Sequence, residues 1–129
     1  MNLSDWLKTP VSNLERLKNL VFEVTKFGKI GESLGKLDIP IIKIGNDISC
    51  KKNNPVVLIV GRQHPGITYS SFVIHGLLNY LLSDEIISDK LRADYEIWIV
   101  PMLNPDGVVL GNYKSNLQGR DINRRFYAD

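Results

Sequence analysis

Two short runs of branched aliphatic residues constrain this chain more than anything else in it. Val56-Val57-Leu58-Ile59-Val60 and Glu96-Ile97-Trp98-Ile99-Val100 are almost continuously apolar. That is the pattern of strands buried on both faces, as in a parallel sheet. Between them Val73, Ile74, Leu77, Leu78, Leu81 and Leu82 recur at three- and four-residue spacing, which predicts an amphipathic helix starting near Thr68 or Ser70. Strand, helix and strand make a βαβ unit, so the expected fold is α/β with a largely parallel central sheet. In such sheets ligands lie beyond the carboxyl ends of the strands. The loops leaving those ends, residues 61–66 and 101–125, should therefore face one crevice.

The flanks are less regular. Pro10, and Ser12 with Glu15 at capping-box spacing, precede Leu14, Leu17, Leu20, Val21 and Val24, which predicts a first helix of about three turns. Gly28, Gly31 and Gly35 break that pattern. Residues 36–44 read as a strand that Pro40 assigns to an outer position, because proline cannot donate to a ladder. Residues 45–54 are polar and turn-rich, and a short helix or turn is expected over 83–91. Asn104-Pro105-Asp106-Gly107 is a turn signal that would reverse the chain after the second strand. The remainder, rich in Asn, Gly, Asp and Arg, reads as functional loop.

Composition narrows the function. With 129 residues the chain fits one domain, and its longest apolar run is too short to span a bilayer. A net charge of +2 is too mild to argue for nucleic acid as a partner on charge alone. The single cysteine, Cys50, excludes an internal disulfide and a Cys-rich zinc cluster, and suits a reducing compartment. Residues 1–10 have neither a basic segment nor a long apolar one, so no secretory signal is expected. Residues 61–66 carry two glycines but neither a dinucleotide fingerprint nor a Lys-Ser/Thr phosphate loop.

Four motifs in one order carry a resemblance. They are Gly61-Arg62-Gln63-His64-Pro65-Gly66, Pro101-Met102-Leu103-Asn104-Pro105-Asp106-Gly107, Gly111-Asn112-Tyr113-Lys114 and Gly119-Arg120-Asp121-Ile122-Asn123-Arg124. Together they resemble the zinc metallocarboxypeptidases, most closely their cytosolic, tubulin-deglutamylase-like branch, from residue 12 to the end. Residues 1–11 are then a lead-in, and residues 12–129 the N-terminal portion of a truncated catalytic domain. The resemblance implies part of a carboxypeptidase-like mixed sheet with flanking helices, and a cytoplasmic protein. It also implies a zinc-bound water as nucleophile, held by a His-x-x-Glu pair and a later His. A distant Glu is the family's general base, an Arg steadies the oxyanion, and an Asn-Arg pair grips the substrate's terminal carboxylate.

Carried over residue by residue, His64 occupies the first zinc-ligand position. The family's Glu ligand falls at Ile67, which has no lone pair to offer. Lys114 stands at the oxyanion position, where the family has Arg; it keeps the charge without the forked geometry. Asn123 and Arg124 match the carboxylate grip. The second His and the base Glu belong to a part of the domain this chain does not contain. The other histidine, His75, reads as an ordinary helix residue. The resemblance thus implies hydrolysis of C-terminal residues, glutamates among them, from peptides or acidic tubulin-like tails, without membrane or nucleic acid. As it stands, the chain is expected to be inactive as an enzyme. The competing reading is a non-catalytic module that binds carboxylate tails, or a degenerate fragment.

Overall fold

The computed structural model describes residues 25–45 and 54–126. The helix expected over the first 24 residues and most of the loop expected over 45–54 lie outside them. Four strands form one mixed sheet: β1 (Thr25–Glu32), β2 (Asp38–Ile44), β3 (Val56–Val60) and β4 (Glu96–Val100), in the order β1-β2-β4-β3. β3 and β4 run parallel, as the βαβ pattern requires, while β2 is antiparallel to both β1 and β4. The helices are α1 (Tyr69–Leu81), α2 (Ile86–Asp94) and the short α3 (Pro105–Val109), with a 3-10 turn at Ile122–Arg124.

Ile74, Leu78 and Leu81 of α1 pack on Ile42, Ile44, Ile97 and Ile99, and Ile44 and Ile99 are completely buried. Burial of such side chains contributes roughly 1.5–3 kcal/mol each. Val73, expected on the same face, is exposed. Where α1 ends, Arg92 of α2 takes over the loose carbonyls. The buried guanidinium donates to Leu81 O, to Ser83 O at 3.1 Å and to Ser88 Oγ at 2.8 Å. A helix end without internal partners is satisfied here by a cation suited to its negative pole.

Four expectations change. Gly28 and Gly31 do not interrupt structure; they lie inside β1, with the register shifting between Lys29 and Gly31. β2 is an interior strand despite Pro40. Pro40 pairs with Lys29 beside that irregularity, and β4 reaches only Ile42–Ile44, so the missing N–H falls outside the β2–β4 ladder. β3 is not buried on both faces as its pattern alone suggests, but is the exposed apolar edge that the resemblance implies for this strand without a further partner. Val56, Leu58 and Val60 are 50%, 59% and 43% exposed, and among the described residues β3 pairs with β4 alone. Asn104-Pro105-Asp106-Gly107 does more than turn the chain, because it nucleates α3 with Asn104 as its cap.

Candidate functional site

The parallel pairing of β3 and β4 delivers both motif loops to one end of the sheet, and hydrogen bonds continue past the strands. Gly61 N–H donates to Val100 O at 2.8 Å, Leu103 N–H to Gly61 O at 3.0 Å and Asn104 N–H to Arg62 O at 3.3 Å. Arg62 then turns with a left-handed φ of 50°, a conformation few non-glycine residues adopt. Its side chain holds the turn. Nε donates to Pro65 O at 2.8 Å and Nη1 to Ser71 Oγ at 3.1 Å, while its own N–H donates to Ser70 Oγ. The loop is thereby tied to the first turn of α1.

The second loop is held as firmly. Asn104 Oδ1 accepts from Gly107 N–H at 3.0 Å, and its Nδ2 donates to Gln63 O and Ser115 O. One amide therefore links both loops and the cap of α3. Asp106, also buried, accepts from Ser33 Oγ at 2.6 Å and Gly35 N–H at 3.0 Å, tying the β1–β2 turn to the same end. Gly107 is glycine because there is no room for more: a Cβ there would meet Ser115 O at 2.6 Å and the Pro65 ring. Gly66 approaches Tyr113 just as closely, and its N–H donates to Tyr113 O at 2.8 Å.

Residues 115–121 fold back as a small hairpin. Ser115 bridges to Asp121, and Asn116 Oδ1 accepts from the N–H groups of Gln118 and Arg120. The hairpin brings Asp121 to His64, with Nε2···Oδ1 at 2.8 Å. The same oxygen accepts from Asn123 N–H at 2.9 Å, capping the 3-10 turn that carries Asn123 and Arg124. The hydrogen bond from His64 holds the Asp121 carboxyl below its ordinary range, against some desolvation, with smaller help from Asn123 N–H and the Arg124 charge. With Nε2 engaged by a carboxylate, Nδ1 is the ring nitrogen left for a metal.

Of the residues singled out in the sequence, His64 and Asn123 meet through Asp121. Arg124 is the exposed end of the same turn. Lys114 is exposed as well, its Nζ 5.5 Å from the Tyr113 ring, one residue beyond the Tyr113–Gly66 bond. Ile67 is half-buried and donates its N–H to His64 O at 3.2 Å. His75 lies half-buried on α1. Sequence reasoning missed Asp121 as the partner of His64, Arg62 as the brace of the loop, and the paired roles of Asn104 and Asp106. The signal for Asp121 was its place two residues before Asn123; nothing local tells of a contact 57 positions away.

These residues do not make a zinc site by themselves. His64 offers one nitrogen, Ile67 a hydrocarbon, and among the described residues no three His, Cys, Asp or Glu side chains gather closely enough to hold a metal ion. Structural and catalytic zinc sites take three or four protein ligands.

The mixed sheet brings loop-borne His64, Asp121 and Asn123 together beyond the ends of its parallel strands, and its fold is that of the carboxypeptidases. Comparison with known proteins agrees. The Peptidase_M14 zinc carboxypeptidase family matches residues 11–129, and the chain belongs to that family. Human cytosolic carboxypeptidase 6 is 43% identical over 100 residues, covering 76% of this chain and 20% of the relative. Chicken cytosolic carboxypeptidase 1 is 35% identical over 128 residues, covering 93% of this chain and 10% of the relative. Among solved structures, a Shewanella denitrificans protein described as a carboxypeptidase A superposes with a TM-score of 0.75 at 30% identity. That superposition covers 90% of this chain and 31% of the other. The chain thus spans a fifth or less of these curated relatives and about a third of the solved domain. Its described residues contain no helix long and apolar enough to cross a membrane.

Proposed function

We propose that this chain, residues 12–129 above all, is the carboxylate-recognising portion of a zinc carboxypeptidase domain, and that it captures peptide C-termini without hydrolysing them. Arg124 on the 3-10 turn supplies a guanidinium whose planar fork matches a terminal carboxylate, and Asn123 beside it supplies an amide. Lys114 on the neighbouring loop adds positive charge at the place where the family stabilises an oxyanion. Acidic C-terminal tails, of the tubulin kind, are the substrate class that this charge suits. A cytoplasmic location follows the names of the relatives.

Loss of hydrolysis rests on one observation: Ile67 stands where the His-x-x-Glu motif needs its carboxylate. The argument is independent of what else a longer polypeptide would contribute. Whatever ligands lie elsewhere, this position is short of one donor, and a site deprived of a ligand loses the affinity that keeps zinc bound.

The test has two arms. Elemental analysis of the purified chain should give well under one zinc per molecule. Calorimetry with a glutamate-ending peptide and its C-terminal amide should show preference for the free acid. That preference should drop by about tenfold or more in Arg124→Ala, as expected for a charge-assisted pair worth at least ~1.4 kcal/mol. Stoichiometric zinc in the unaltered chain, or release of the terminal residue, refutes the non-hydrolytic reading. Equal affinity for acid and amide refutes the capture reading.

A further inference from the structure

The loop that carries His64 begins on a residue whose backbone is costly. Arg62 has a φ of 50°, in the left-handed region where glycine sits without strain and arginine does not. A glycine is present one position earlier, but Gly61 is not in that region. It is glycine for want of space, since a Cβ there would strike Ile74 Cδ1 and come within 3.1 Å of Pro101 O. The glycine-like conformation therefore falls to an arginine, and a strained residue at such a place points to a use for its side chain.

The guanidinium reaches across the loop. Its Nε donates to Pro65 O at 2.8 Å, a bond that runs from two residues before His64 to the residue after it. Its Nη1 donates to Ser71 Oγ at 3.1 Å and so fastens the loop to α1. Proline at position 65 further disfavours a helical backbone at His64. From the imidazole the bonds continue outward. His64 Nε2 meets Asp121 Oδ1 at 2.8 Å, and that same oxygen accepts from Asn123 N–H at 2.9 Å. A connected path thus leads from Arg62 to the turn that carries Asn123 and Arg124.

We propose that Arg62 is a positioning residue for carboxylate capture. Its guanidinium fixes the His64 loop, His64 fixes Asp121, and Asp121 fixes the turn that presents Asn123 and Arg124. Arg62 itself touches no ligand. The proposal rests on the capture reading and adds to it a residue that acts from the opposite side of the site. Without the guanidinium the loop relaxes, and the imidazole is no longer held against Asp121.

The experiment uses the full chain carrying Arg62→Gly, which accepts the left-handed backbone and deletes the guanidinium. Relief of strain offsets the lost bonds, so this variant should melt close to the unaltered chain. Arg62→Asn, which also tolerates that backbone, replaces it if the glycine variant does not fold. The first readout is the His64 Nε2 proton in isotope-edited NMR; its exchange with water should quicken by about tenfold or more once the bond to Asp121 opens. The second is calorimetry with the glutamate-ending peptide and its amide. Affinity for the free acid should fall by about tenfold, the worth of one charge-assisted hydrogen bond, while the amide is unaffected. Millimolar methylguanidinium should restore both readouts in Arg62→Gly by filling the vacated space, which a mere loss of stability would not allow. The proposal is overturned if Arg62→Gly leaves both readouts unchanged, if methylguanidinium restores neither, or if the losses only follow a lowered Tm. Equal affinity for acid and amide in the unaltered chain refutes the capture reading instead. The imidazole proton then decides whether Arg62 holds His64, and unchanged exchange in Arg62→Gly overturns that as well.

Discussion

Two glycines in two helices should respond to the same substitution with opposite sign. In a helix interior, Gly→Ala gains about 0.5–1 kcal/mol by restricting the unfolded chain and improving helix propensity. Gly76, in the middle of α1, has nothing within 4 Å of where a Cβ would stand, so Gly76→Ala should realise that gain. For a domain of this size it corresponds to a rise in Tm of roughly 2–5 °C. Gly107 in α3 receives the same propensity benefit and loses more. Its new methyl would lie 2.6 Å from Ser115 O and 3.0 Å from Asn104 Nδ2, besides striking the Pro65 ring. Ordinary contact begins near ~3.5 Å, so the backbone at Ser115 must retreat by about 0.9 Å. Overpacking of this kind costs about 1–3 kcal/mol. The shift also strains the bonds that Asn104 Nδ2 makes to Gln63 O and Ser115 O, worth about 1 kcal/mol together once lengthened. The balance is a net loss of about 2 kcal/mol, a fall in Tm of roughly 6–10 °C. Urea denaturation followed by circular dichroism measures both variants. A Gly107→Ala protein as stable as the unaltered chain would show that Pro65, Gly107 and Ser115 are not held in contact as described, and the whole account of the site would fail with it.

Two further effects follow from the buried and bridging polar groups. Arg92→Met keeps the apolar stem but strands the carbonyls of Leu81 and Ser83 that the guanidinium now serves; a loss of about 2–3 kcal/mol in chemical denaturation is expected, and a loss below about 0.5 kcal/mol would contradict that role. Asp121 titrates below its ordinary range in the folded chain, so the unfolded state binds more protons as acid is added. Its contribution to stability is present above the usual carboxylate pKa of about 4 and disappears as pH falls through the lowered folded value. Asp121→Asn should therefore flatten the acid limb of a stability–pH curve below about pH 4. An acid limb as steep as that of the unaltered protein would mean the His64 bond is not formed.

How far the sequence reaches is visible element by element. The parallel pair β3 and β4 and the helix between them were legible because each is a periodic pattern within a few residues. β1 was not, since Gly28 and Gly31 look like breakers until a partner strand supplies their ladder. Pro40 misled for a related reason: what matters is which neighbour its missing N–H faces, and that belongs to the sheet. The exposure of β3 is also a property of assembly, because a run such as Val56–Val60 states only what it is suited to bury.

At the site, residue chemistry alone determined that the hydrocarbon at position 67 has no electron pair to donate. That is a statement of bonding, and no folding is needed to make it; the carboxylate role of Asn123 and Arg124 came from the resemblance. Only the tertiary structure decided that Asp121 reaches His64, that Asn104 ties two loops to one helix cap, and which edge of β3 stands open. Such contacts join positions far apart in the chain, and their energies exist only once the sheet has closed the distance between them.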